Sequence, residues 1–194
     1  MNIRNGRDYS SLEPINVYRK ALRIFWESTS KVMPDVFREA AGDRKKRLGI
    51  DVHGVITEHP EFLAEECRKL VNAGHEIHIM TGSRFGIEME KQLGSYGFEK
   101  GRNYTHFFSV TDHLIETGVT VTFENGLPYA DAFAWNTAKG EYAYLRGLDC
   151  VWDDSPVYCR YMPEGCWYFT YSKEYFVKQV DQVVNGTRPR IGRK

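Results

Sequence analysis

Short apolar runs that end in polar residues, separated by segments of helical period, constrain this chain more than any other feature. Arg47 to Val52, Glu76 to Met80 and Asp149 to Trp152 read as buried strands. Between the first two, Leu63, Cys67, Leu70 and Val71 fall at i, i+4, i+7 and i+8, one apolar stripe of a helix over Pro60 to Ala73. Pro60 suits its first turn and Gly74 its stop. Gly82-Ser83-Arg84 reads as a turn, Phe85 to Tyr96 as a helix ending near Gly97, and Thr105 to Val110 as a further strand. Pro156 to Tyr161 reads as a short helix and Cys166 to Tyr171 as a strand. Ser172 to Asn185 closes the pattern as a helix with Phe176, Val177, Val180, Val183 and Val184 on one stripe, Ser172 as N-cap and Gly186 as stop. Strands alternating with helices predict an α/β fold, a Rossmann-like three-layer α/β/α arrangement with a mostly parallel sheet.

In such sheets the ligand site lies at the carboxyl ends of the strands. The residues placed there are Asp51 and His53, Thr81 and Gly82, and Asp153 and Asp154. A carboxylate at a strand end, followed by Gly54, suits a nucleophile for phosphoryl transfer, and an acyl-phosphate intermediate divides one hard step into two easier ones. Carboxylate and phosphate are both anionic, so a cation is required between them. Magnesium takes one or two carboxylates, phosphate oxygen and water, and Asp51 with Asp153 or Asp154 supplies such a set. Each feature has an ordinary reading: an Asp after a strand is a common turn residue, and Asp153-Asp154-Ser155-Pro156 also reads as a capped helix start. Three strand ends carrying suitable residues in order outweigh those readings taken one by one.

Asp51-Val52-His53-Gly54-Val55-Ile56-Thr57 resembles the first motif of the haloacid dehalogenase-like (HAD) phosphohydrolases, with His53 where the family has a second Asp. Ile77-His78-Ile79-Met80-Thr81-Gly82-Ser83-Arg84 is similar to the second motif, and Val151-Trp152-Asp153-Asp154-Ser155-Pro156 to the fourth. The resemblance spans roughly Leu48 to Tyr171. It implies Asp51 as nucleophile, Thr81 and Gly82 as phosphate ligands, a third-motif Lys that binds phosphate, and Mg2+ held by Asp51, Asp153, Asp154 and the His53 backbone carbonyl. Lys139 is the candidate Lys, since it precedes the helix-like Gly140 to Arg146; Lys100 competes with it. Gly74-His75-Glu76-Ile77 is similar to the strand entry of the small-cap or capless 5′-nucleotidase-like branch. A nucleotide is therefore a substrate candidate among small phosphorylated compounds.

His53 stands where the family places its acid/base. An imidazole can protonate a leaving oxygen and activate water, and its ordinary pKa of ~6.5 is well placed for both. Two further readings stay open: a polynucleotide end phosphatase, and a HAD-like phosphate-binding or regulatory protein without turnover. His59, His75, His78, His106 and His113 show no ligand spacing and read as surface or hydrogen-bonded residues.

The stretch from Val110 to Lys139 reads differently. Gly118 to Phe123 alternates like a strand, Glu124 to Pro128 forms a turn, and Tyr129 to Trp135 is its expected partner, giving a small β-hairpin insertion over residues 111–138. Its aromatic residues Phe123, Tyr129, Phe133 and Trp135 suit either a base-stacking surface or a plain apolar face. Residues 1–47 read as an N-terminal helical extension, with helices over Leu12 to Met33 and Asp35 to Ala41, ahead of the catalytic domain at 48–186. Packing on the core, homo-oligomer formation and holding a partner all remain open for that extension. Residues 187–194 read as a disordered basic tail.

Twenty-six basic and 26 acidic residues balance, which removes any global pull toward nucleic acid or membrane. Arg44 to Arg47 reads as a solvated loop. No apolar run approaches the roughly 20 residues that span a bilayer. The four cysteines form no Cys-x-x-Cys pair and sit in apolar segments, so buried free thiols in a reducing cytoplasmic location are expected, not zinc.

Overall fold

The computed structural model describes residues 45–185. The two helices expected before residue 42, the stop at Gly186 and the tail lie outside the described residues. Five strands form one parallel sheet: β1 (Arg47–Asp51), β2 (Glu76–Thr81), β3 (His106–Ser109), β6 (Cys150–Asp153) and β7 (Trp167–Thr170), in the order β3-β2-β1-β6-β7. A separate antiparallel hairpin, β4 (Thr122–Glu124) and β5 (Leu127–Tyr129), turns at Asn125 and Gly126, both at positive φ. The helices are α1 (Pro60–Asn72), α2 (Ile87–Ser95), α3 (Val110–Glu116), α4 (Ala132–Arg146) and α5 (Lys173–Val184), with a 3-10 turn over Pro156–Tyr161.

Strand pleating distributes the core. Leu48 and Ile50 of β1, with Ile77 and Ile79 of β2, face a cluster built by Leu63 and Cys67 of α1, Leu93 of α2 and Phe176 of α5. Met80 and Val151 face the other way, onto Val110 and Leu114 of α3 and Ala138, Tyr142 and Ala143 of α4. Helices therefore cover both faces, and each large side chain fully buried this way contributes roughly 1.5–3 kcal/mol. No helix among the described residues is long and apolar enough to cross a membrane.

Several boundaries differ from the sequence expectation. β1 stops at Asp51 instead of Val52, because the chain turns at once through Gly54 (φ 79°) and closes with Thr57 N–H on the Val52 carbonyl at 3.0 Å. The strand expected through Val110 ends at Ser109, whose Oγ accepts from Asp112 N–H at 3.0 Å and starts α3, a helix the sequence did not suggest. α2 begins at Ile87, not Phe85: the Phe85 N–H donates to Asp112 Oδ2 at 2.7 Å and stays in the loop.

Of the strand expected over Tyr129 to Trp135, only Tyr129 belongs to β5, which starts earlier, at Leu127. Asp131 accepts from the N–H groups of Phe133 and Ala134, both at 3.0 Å, and opens α4 at Ala132. Lys139 therefore sits in mid-helix rather than ahead of one, and α4 takes residues assigned to the insertion. Ser172 and Ser155 make no capping bond through their side chains. Val177 is 51% exposed, off the buried stripe of α5, and Cys159 is exposed whereas Cys67 and Cys150 are buried.

Candidate active site

The strand order reverses between β1 and β6, and the carboxyl ends of these neighbours hold Asp51 and Asp153. Both are buried. Lys139 reaches them from α4, its Nζ donating to Asp51 Oδ1 at 2.7 Å and to Asp153 Oδ2 at 2.5 Å. The ammonium is 3% exposed and lies 4.7 Å from the centroid of the Tyr158 ring. Lys100, the competing candidate, borders a different cleft and is not part of this group.

Asp154 completes a trio with Asp51 and Asp153 whose ligand oxygens all lie within 4.8 Å of one another. It is exposed, and its carboxylate lies against Gly54, where a Cβ would collide with it. Glycine at 54 thus serves both the positive φ and this close approach. The Asp153 carboxylate is fixed by its other oxygen, which accepts from Ser155 N–H at 2.9 Å, and the Tyr168 hydroxyl holds the same loop by donating to the Ser155 carbonyl.

Three carboxylates face one ammonium, so the site carries excess negative charge. Burial raises the Asp51 carboxyl, Lys139 pulls it down, and Asp153 and Asp154 push it up, which together hold it at about 6. For Lys139, burial works against the charge, but Asp51 and Asp153 outweigh it and hold the ammonium above its usual value. Oxygen donors in excess of the local positive charge fit a hard divalent cation such as magnesium, and no sulfur or imidazole nitrogen belongs to the trio.

Thr81 and Gly82 lie at the end of β2 beside this group. The Thr81 hydroxyl accepts from Ser83 N–H at 3.2 Å and stands 3.5 Å from His53 Nδ1. His53 is exposed at the mouth, where partial desolvation and the Lys139 charge lower its pKa and Asp154 opposes them. Two residues from α3 fix the loop. Buried Thr111 donates to the Gly82 carbonyl at 2.5 Å, and Asp112 accepts from Arg84 Nε at 2.9 Å as well as from Phe85 N–H. Sequence reasoning missed both, because the segment was read as the start of an insertion; the Ser-x-x-Asp spacing of Ser109 and Asp112 was the available helix-start signal.

The remaining histidines are partnered. His59 meets the Tyr171 hydroxyl at 3.2 Å, His75 accepts from Lys46 N–H at 3.1 Å, and His113 lies 3.3 Å from Glu141. Glu76, His78 and His106 do come together at the opposite end of the sheet, which their spacing had not suggested. The His78 and His106 rings stack 4.3 Å apart within 9° of parallel. Lone pairs lie in the ring planes, so parallel rings do not aim at one ion. His78 instead bonds the Tyr142 hydroxyl at 2.8 Å and Glu76 at 3.3 Å.

A cleft of about 900 Å³ along the free side of β3 includes none of the residues around Asp51. The basic residues leading into β1, at the end of the strand away from the site, are engaged: Lys45 and Arg47 pair with Glu76, each at 3.3 Å, and Lys46 with Asp149 at 3.5 Å. Comparison with protein-family models, with curated proteins and with solved structures found no match in any of the three.

Proposed function

We propose that this protein is a magnesium-dependent phosphatase of the HAD type that hydrolyses a phosphomonoester through an aspartyl-phosphate. The observation that carries this reading is the buried Lys139 ammonium bridging Asp51 and Asp153 at adjacent strand ends. Asp51 is the nucleophile: a carboxylate oxygen attacks phosphorus, the ester P–O bond breaks, and the leaving oxygen takes a proton. Water then attacks the same phosphorus and frees Asp51 with release of phosphate. Thr81, the backbone after it and Lys139 bind the phosphoryl oxygens.

Asp51, Asp153 and Asp154, with the His53 carbonyl, are the residues that would hold magnesium, which when bound offsets the charge between carboxylate and phosphoryl group. His53, exposed and beside Thr81, gives the leaving oxygen its proton and receives one from water in this reading. A polynucleotide-end substrate draws no support from Lys45, Lys46 and Arg47, whose charges are paired away from the site.

The test is phosphate release with magnesium from nucleoside monophosphates, sugar phosphates and 3′- and 5′-phosphorylated oligonucleotides. Release that is abolished in Asp51→Asn is expected. Release that survives in Asp51→Asn removes the nucleophile. No release from any ester, with magnesium still bound, favours a binding or regulatory protein, and His53→Asp should then create activity.

A further inference from the structure

One wall of the site plays no part in the chemistry above. Trp135 lies four residues before Lys139 on α4 and so shares its face, one turn toward the helix N-terminus. The edge of its indole lies over Gly82, so closely that a Cβ there would stand 2.9 Å from Cζ2. Its Nε1–H donates to the Tyr158 hydroxyl at 3.3 Å, and the Tyr158 ring lies 4.7 Å from the Lys139 ammonium. The two rings thus run from the phosphate loop to the phosphate-binding Lys.

What holds Tyr158 there is close packing of the 3-10 turn on α4. A Cβ on Gly140 would strike the Tyr161 carbonyl, so glycine beside Lys139 lets the turn lie directly on the helix. Trp135 packs in part on the Met80 and Ala138 cluster, but unlike the wholly buried Trp152 both it and Tyr158 stay half-buried. Their polar atoms are satisfied by each other, one face of the Tyr158 ring carries the Lys139 ammonium, and each ring keeps part of its surface exposed. His53 and Asp154, also at the opening, are exposed and polar.

We infer that Trp135 and Tyr158 form a stacking wall for the leaving group and select phosphomonoesters whose leaving group carries a planar aromatic ring. The inference rests on the phosphatase reading and deepens it by naming the substrate class. A ring held on this wall places its phosphate against Gly82 and Lys139, whereas an alkyl phosphate of similar size gains nothing from stacking.

The test compares phenyl phosphate with glycerol phosphate in turnover, and phenylphosphonate with methylphosphonate in calorimetric binding, all with magnesium. In Trp135→Leu the ratio of kcat/KM for phenyl over glycerol phosphate is expected to fall about tenfold, as loss of one aromatic stack implies. The calorimetric preference for phenylphosphonate should fall in parallel, and Trp135→Phe should restore most of both. An equal loss for both esters and both phosphonates overturns the wall and leaves Trp135 as packing for the Gly82 loop. Aryl-selective phosphonate binding that depends on Trp135, without turnover of either ester, upholds the wall and overturns the phosphatase reading. Absence of both binding and turnover overturns the two together.

Discussion

Lys139 and Asp51 form a buried ion pair, Nζ to Oδ1 at 2.7 Å, between a mid-helix residue and a strand end 88 residues earlier. The same ammonium holds Asp153, so one cation keeps two buried carboxylates compatible with the fold. Lys139→Met is expected to abolish turnover and to lower stability by about 3–5 kcal/mol in the presence of a chelator, because it leaves buried charge without a partner. Urea denaturation at neutral pH measures this, and a loss within the error of the wild-type value would contradict the pairing.

Magnesium is expected to raise the melting temperature, and Asp154→Asn to suppress that rise. Asp154 is exposed, so the substitution leaves the core intact while removing one of three candidate ligands. At a free concentration of 100 Kd, binding stabilises by about 2.7 kcal/mol, well within reach of calorimetry. Equal shifts in wild type and variant would place the ion elsewhere.

His53→Asn separates acid catalysis from the rest of the site. General acid–base catalysis is typically worth ~10²–10⁴ in rate. The variant should therefore lose about 10²-fold or more on an alkyl phosphate, whose leaving oxygen needs a proton. It should lose much less on p-nitrophenyl phosphate, whose leaving group departs as the anion. Parallel losses on both substrates would assign His53 to binding instead.

Thr111→Val keeps the shape of a buried residue but removes the donor to the Gly82 carbonyl. The expected cost is about 1–2 kcal/mol of stability together with weaker phosphate binding, read as a higher inhibition constant for inorganic phosphate. Loss of stability with unaltered phosphate inhibition would limit Thr111 to the core.

His78 gives the fold a pH dependence away from the site. Burial, with the neighbouring His106 adding to it, depresses its pKa from 6.5 to about 4, despite the opposing pull of Glu76. Above 6.5 the ring is neutral in both folded and unfolded chains, so His78 contributes no slope. Between about 6.5 and 4 the unfolded chain binds a proton that the folded one refuses, and stability falls as pH falls. The full effect is roughly 3 kcal/mol. The difference between wild type and His78→Gln, followed from pH 7 to 4.5, isolates it; a constant difference across that range would rule it out.

Much of this architecture was readable along the chain. The stripe Leu63, Cys67 and Leu70 packs as the helical period implied, and the strands end within a residue of where their apolar runs end. Asp51, Thr81 and Asp153 stand at carboxyl ends of parallel strands because alternation specifies the strands and helical crossovers between them make them parallel. Misreadings cluster between Val110 and Lys139. There, strand-like alternation at Tyr129 to Trp135 was overridden by one capping residue, Asp131, and by the face of α4 that buries Ala138, Tyr142 and Ala143.

The sequence by itself determined the α/β alternation and the polar residues at the strand ends, since both are written in the spacing of near neighbours. The tertiary structure alone decided that Lys139 rather than Lys100 reaches Asp51, that Thr111 and Asp112 brace the Gly82 loop, and that Trp135 lies over that loop with Tyr158 between it and Lys139. Those relations join residues tens of positions apart, and only the packing of α3 and the 3-10 turn on α4, and of α4 on the sheet, brings them within bonding distance.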